Sequence, residues 1–262
     1  MSDEKKLRTK AIVRPPSPNF SDGLTTVDLG RPTYARAVEQ HEAYCEALRQ
    51  CGLALVSLEA DDRYPDSTFV EDTAVLTEQC AILARLGAPS RIGEVAGIAT
   101  VLAKFYSELL SIREPGTLDG GDICEVGNHF FIGISQRTNE EGAEQLTDLL
   151  TSFGYTSSFV DIRGLNAILH LKSGLAYLGK NRLVVIEALA FREEFRGYDL
   201  VRVSAGEDYA ANCLRVNDHV LVAAGYPAFE GRLQELGYKT IALDMTEFQK
   251  MDGGLSCLSL RF

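Results

Sequence analysis

Four apolar hairpins recur along this chain at intervals of roughly 40 to 50 residues, a spacing that belongs to propellers and repeat arrays. In each, a polar or Gly-containing lead-in feeds an apolar strand, a turn follows, and a second strand returns. The first runs through Phe69–Leu76 and Cys80–Ala84. The second joins Asp122–Val126 to His129–Ile134 across Gly127-Asn128. The third joins Gly174–Leu178 to Leu183–Ile186 across Gly179–Asn181, and the fourth joins Ala211–Val216 to Val220–Ala224 across Asn217-Asp218. Helical periodicity fills the intervals. Tyr34–Cys51 stops at Gly52, Asn139–Phe153 opens on an Asn cap and stops at Gly154, and Phe229–Leu236 stops at Gly237. A strand follows each helix (Leu53–Leu58, Thr156–Val160, Lys239–Leu243), so the unit reads ββαβ.

A fifth hairpin is cut in two. Ser256–Phe262 lacks a return strand, and Lys10–Arg14 at the other end of the chain can supply it. Joining the termini closes a ring and hides edge strands that would otherwise template aggregation. The expected fold class is therefore α/β: a five-bladed α/β-propeller of pseudo-symmetric ββαβ units around a central channel. It forms a single domain over residues 1–262, with residues 1–9 as a flexible tail. The lead-in loops meet at the hub, which puts the neighbourhoods of Asp72, Asp122, His170 and Cys257 on one channel.

Charge narrows the partners. With 37 acidic against 26 basic residues the net charge is −11, which argues against nucleic acid or an anionic membrane and tolerates a small cationic molecule. The six cysteines show no CxxC and no paired spacing, and four His without clustered Cys give no structural zinc pattern. Met1–Lys10 is charged, with no apolar signal core, and no apolar run approaches the ~18 residues that span a bilayer. The expectation is a cytoplasmic protein with free thiols and neither metal nor cofactor. A monomer and a homodimer are equally open to it.

Two Gly-Gly pairs stand beside reactive side chains. Asp252-Gly253-Gly254-Leu255-Ser256-Cys257 delivers a thiol on open backbone, and Gly116-Thr117-Leu118-Asp119-Gly120-Gly121-Asp122 carries two carboxylates. His170, in Ile168–Gly174, is the best acid/base partner. A cysteine, a histidine and several carboxylates point to thiol chemistry on a cation. Taken singly, Cys257 also fits a small buried hydrophobe and His170 a core histidine between Leu169 and Leu171. Cys124 and Cys213 lie within hairpin strands and read as packing.

Together, Phe69-Val70-Glu71-Asp72, Gly116–Asp122, Arg137-Thr138-Asn139, Leu169-His170-Leu171-Lys172 and Asp252–Cys257 resemble the dimethylarginine dimethylaminohydrolases. These are members of the guanidine-modifying superfamily with the five-bladed α/β-propeller, and the resemblance runs from about Ala11 to Phe262. It implies hydrolysis of an Nω-methylated arginine to citrulline and methylamine or dimethylamine. It implies Cys257 as nucleophile and His170 as acid toward the departing amine, then base toward water. Asp72 and Asp119 would hold the guanidinium nitrogens, with Glu71 a further substrate contact; Asp119 stands where some relatives carry Glu. At the amino-acid end it implies Arg91 and Arg137 on the carboxylate. Asp66 would take the α-ammonium with the backbone carbonyls of Leu24 and Met251. Asp22–Thr25 reads as a loop able to cover the site. The nearest alternative is an arginine deiminase-like or other small-guanidine hydrolase, although deiminases usually carry an added helical domain. The other is a noncatalytic arginine-binding propeller, which would need neither Cys257 nor His170.

Overall fold

The structure, a computed structural model, describes residues 7–165 and 167–262. Among these, fifteen strands form five three-stranded sheets of one design: an inner strand pairs antiparallel with a middle strand, which pairs parallel with an outer one. The first blade has β1 (Lys10–Val13) in the middle and β2 (Ala54–Ser57) outside, joined by α1 (Tyr34–Gln50). The second contains β3 (Ala74–Leu76), β4 (Ala81–Leu83) and β5 (Leu109–Ser111), with α2 (Val95–Leu102) as its crossover. The third contains β6 (Ile123–Val126), β7 (His129–Ile134) and β8 (Thr156–Asp161), with α3 (Glu140–Ser152). In the fourth, the short helix α4 (Leu171–Gly174) leads into β9 (Leu175–Gly179), β10 (Arg182–Val185) and β11 (Asp199–Arg202). The fifth has β12 (Leu214–Val216), β13 (His219–Ala223), α5 (Pro227–Glu235) and β14 (Lys239–Leu243). After α6 (Thr246–Gln249), β15 (Leu260–Arg261) returns as the inner strand of the first blade.

The middle strands are packed on both faces, which is why they read as continuous apolar runs rather than alternating ones. Val220, Leu221 and Val222 in β13 are all buried. The Asn cap expected at α3 is present: Asn139 Oδ1 accepts from Gly142 N at 2.8 Å. The turn at Asn217 has φ 53°, a left-handed conformation that Asn tolerates.

Two features depart from the expected repeat. The fourth blade has no α-helix between β10 and β11. Two short 3₁₀ turns, Glu187–Leu189 and Glu193–Phe195, make that crossover, with Leu189 and Phe195 plugging the core. The run from Val185 to Asp199 is too short for a full helix and its two connections. Conversely, α2 was not foreseen: Ile98, Val101 and Leu102 stand at helical spacing and are buried, but the run is short and has no side-chain cap to mark its start.

The ends join as expected. β15 pairs antiparallel with β1, with Ala11 opposite Arg261 and Ile12 opposite Leu260. Tyr44 Oη, on α1, meets Ser259 Oγ at 2.6 Å and stitches the closure to the core. The flexible tail expected over residues 1–9 needs correction at its end. Thr9 N donates to the Phe262 carbonyl at 2.9 Å, and Arg8 N donates to Asn217 Oδ1 at 3.0 Å. Residues 1–6 lie outside the described residues. Among the described residues, no helix is long and apolar enough to cross a membrane.

Candidate active site

The lead-in segments converge at one end of the hub around a small pocket of about 20 Å³. They are not extended there: Val70–Thr73, Gly120–Asp122 and Ser256–Leu258 coil into 3₁₀ turns before their strands begin. Cys257, His170, Asp72, Asp66, Arg91, Arg137, Leu24 and Met251 all border this pocket. Asp119 and Glu71 do not.

The glycine pairs serve close approach rather than open backbone. Gly121 N donates to Asp72 Oδ1 at 3.0 Å, and a Cβ at Gly121 would lie 2.8 Å from both that oxygen and the His170 ring. A Cβ at Gly253 would collide with the Phe69 ring, and one at Gly254 would lie 2.5 Å from Asn212 Oδ1. Gly121→Ala must therefore push Asp72 and His170 apart. We expect kcat/KM to fall by about 10²-fold with the circular dichroism spectrum unchanged, since small displacements of reacting groups cost rates of that order. Wild-type turnover in that variant would contradict this geometry.

Asp119 has a different task from the one expected. It is fully buried, its Oδ1 accepts from Gly87 N at 2.8 Å, and its Oδ2 meets His170 Nε2 at 3.0 Å. These contacts set it behind the imidazole, which it orients, and it does not border the pocket itself. Asp122 anchors the next residue: its Oδ1 accepts from Leu171 N at 2.9 Å, and its Oδ2 accepts from the Ser135 and Thr138 hydroxyls, each at 2.7 Å. Burial favours neutral His170, but the carboxylates of Asp72, Asp119 and Asp122 outweigh it and raise its pKa to about 9. Burial, then the charges of Glu71 and Asp72, push the Cys257 thiol up to about 12. At neutral pH His170 is therefore an imidazolium and Cys257 a thiol.

Glu71 also needs correction as a substrate contact. Adjacent residues of the Val70–Thr73 turn project to opposite sides of the hub wall, and Glu71 faces away from the pocket. It accepts from Ser256 Oγ at 2.7 Å and pairs with Lys172 Nζ at 2.7 Å and Arg261 Nη2 at 3.0 Å. Arg91 borders the pocket but is already engaged, with Asp72 Oδ2 at 2.7 Å and Glu94 at 2.9 Å. It braces the acid. The side chain of Arg137 makes no hydrogen bond or ion pair among the described residues. Asp66 accepts from Leu24 N at 3.0 Å, and the loop beyond is tied down where Thr25 Oγ1 donates to the Lys250 carbonyl at 3.0 Å. The segment read as a cover thus lies against the site.

Asn212 and Glu94 were missed. Asn212 Oδ1 accepts from Ser256 N at 2.9 Å, and its Nδ2 donates to Ser256 Oγ at 3.1 Å and to the Lys172 carbonyl at 2.8 Å. It thereby couples the cysteine turn to the segment after His170. A signal existed: Asn212-Cys213-Leu214-Arg215-Val216 repeats the pattern of Asp122-Ile123-Cys124-Glu125-Val126, so the two anchors occupy equivalent lead-in positions. Glu94 had none.

Five such blades around a hub that holds a cysteine, a histidine and buried carboxylates define the guanidine-modifying superfamily. The family model described as N,N dimethylarginine dimethylhydrolase, eukaryotic, matches residues 30–254. The chain is 45% identical over 252 residues to the N(G),N(G)-dimethylarginine dimethylaminohydrolase of Pseudomonas aeruginosa, covering 96% of this chain and 98% of that protein. It is 34% identical over 253 residues to the protein of the same name from Streptomyces coelicolor, with 96% of each covered. A solved structure of the Pseudomonas aeruginosa protein, a cysteine-to-serine mutant complexed with citrulline, superposes with a TM-score of 0.95 at 44% identity, over 98% of this chain and 100% of that one. The N-terminal domain of ArgZ, a cyanobacterial arginine dihydrolase, shares the fold with a TM-score of 0.86 at 17% identity, over 98% and 97% of the two chains. The chain belongs to the dimethylarginine dimethylaminohydrolase family.

Proposed function

We propose that this protein hydrolyses Nω-methylated L-arginine to L-citrulline and dimethylamine or methylamine through a covalent intermediate on Cys257. The observation that carries the reading is a thiol, an imidazolium and Asp72 around one hub pocket, in a chain 45% identical over nearly its whole length to a dimethylarginine dimethylaminohydrolase.

A guanidinium carbon is a poor electrophile because its charge is spread over three nitrogens. Splitting the reaction into two displacements lowers the barrier of each. Asp72 receives the cation, and Arg91 holds that carboxylate in place. The substrate's positive charge opposes the same carboxylates that keep Cys257 protonated, so the thiol releases its proton to solvent water as the cation seats. Sulfur then adds to the guanidinium carbon. His170 transfers its proton to the departing amine nitrogen as that C–N bond breaks. The neutral imidazole next takes a proton from water, whose oxygen adds to the same carbon. The C–S bond breaks with its electron pair going to sulfur, the adduct's hydroxyl proton passes to that thiolate to restore the thiol, and citrulline leaves with the water oxygen in its ureido group. Asp119 keeps the ring aimed through both steps. At the other end Asp66 suits an α-ammonium, and Arg137 has the free fork for a carboxylate. Cys124 and Cys213 are buried and do not border the catalytic pocket, which supports their packing role. A reducing cytoplasm suits the six free cysteines.

Citrulline release from dimethylarginine, monomethylarginine and arginine, assayed in parallel on the purified protein, tests the assignment. Both methylated compounds should turn over well ahead of arginine. Arginine turnover far exceeding both would reject the substrate class.

A further inference from the structure

On the far side of Glu71 from the catalytic pocket, the propeller's central pore widens into a cavity of about 440 Å³, to which all five inner strands contribute. It opens between the exposed hairpin turns at Gly127 and Lys180. The charge there runs against the molecule. In a chain of net −11 the pore lining carries five cations and only two carboxylates. Lys172 and Arg261 lie at the inner end, both on Glu71, while Arg8, Lys180 and Arg215 stand toward the mouth with Glu125. Arg8 is paired with Glu125. The Arg215 guanidinium has no hydrogen bond or ion pair among the described residues. It lies directly over Gly179, where any side chain would collide with it, so the backbone there keeps room for the free fork. Excess positive charge between low-dielectric walls focuses potential and draws counter-charge. A guanidinium with unused donors is matched by carboxylate or phosphate oxygens. Apolar stretches of the wall, among them Val75, Ile123 and Leu214, suit a carbon body.

We propose that this pore is a second ligand site, separate from the catalytic pocket, for a small organic polyanion, carboxylate- or phosphate-based, held at the mouth by Arg215 and Lys180. The site requires no hydrolase activity, so its failure and that of the proposed reaction are separable. The test is isothermal titration calorimetry at constant ionic strength with citrate in one arm and inorganic phosphate in the other, each with and without saturating L-citrulline. At least one anion should bind saturably, equally well when citrulline is present, and about tenfold or more weaker in Arg215→Gln, as loss of a charge-assisted fork predicts. The stronger arm identifies the oxyanion. Lys180→Gln, on an exposed turn, should weaken binding in the same direction and decides the matter if Arg215→Gln does not fold. No saturable heat in either arm, unchanged affinity in the folded variants, or displacement by citrulline would overturn the proposal.

Discussion

Cys257→Ser will abolish turnover of dimethylarginine, by roughly 10⁴-fold or more as for other nucleophile deletions, while citrulline binding stays measurable. The hydroxyl is nearly isosteric with the thiol, and the residues that hold the turn make their contacts elsewhere. Asn212 grips Ser256, and Glu71 accepts from the Ser256 hydroxyl. Those contacts survive the substitution, so Asp72, Asp66 and Arg137 keep their places. What is lost is an atom able to become an anion once the substrate's positive charge is seated beside it. Cys257 already stands near the limit, with burial and two carboxylates pushing its pKa up to about 12, and a serine hydroxyl ionises far less readily still. Single-turnover assays for citrulline combined with calorimetry of citrulline binding separate the two effects. Substantial residual hydrolysis would mean that a second nucleophile does the chemistry.

Asp119→Asn should lower kcat by about 10⁴-fold, the order seen when a carboxylate that orients a catalytic histidine becomes an amide, and should also move the pH profile. Burial alone would lower the His170 pKa; the facing carboxylates of Asp72, Asp119 and Asp122 raise it to about 9 instead. The reaction needs the protonated ring to release the amine. On its alkaline side kcat/KM is therefore lost as pH rises through about 9. Removing one negative charge lowers the pKa, so the alkaline limb of kcat/KM must shift toward neutral pH. A merely structural role for Asp119 would lower activity at every pH and leave the limb in place. An unmoved limb would return Asp119 to the packing of the loop at Gly87.

Much of this molecule was legible in its residues, and the legible part has a common cause. β7 and β13 coincide with, or lie within a residue of, the apolar runs expected for them, because a strand packed on both faces must be apolar throughout. The unpaired runs at Lys10 and Ser256 announced ring closure, because a propeller cannot leave half a blade exposed. The fourth crossover was misread for the opposite reason. There Leu189 and Phe195 do a helix's packing work from two short turns, and no periodicity records that.

The residues themselves determined a ring of blades, with a thiol, a histidine and carboxylates carried on the lead-ins to its hub. Only the tertiary structure decided which carboxylate does what. Glu71 and Asp72 are neighbours in the chain, yet one supports the pore side and the other faces the pocket, because the turn that carries them crosses the hub wall. Asp119 meets the imidazole and Arg91 meets Asp72 because ion pairing depends on distances set by five blades closing together, a quantity no local stretch of sequence contains.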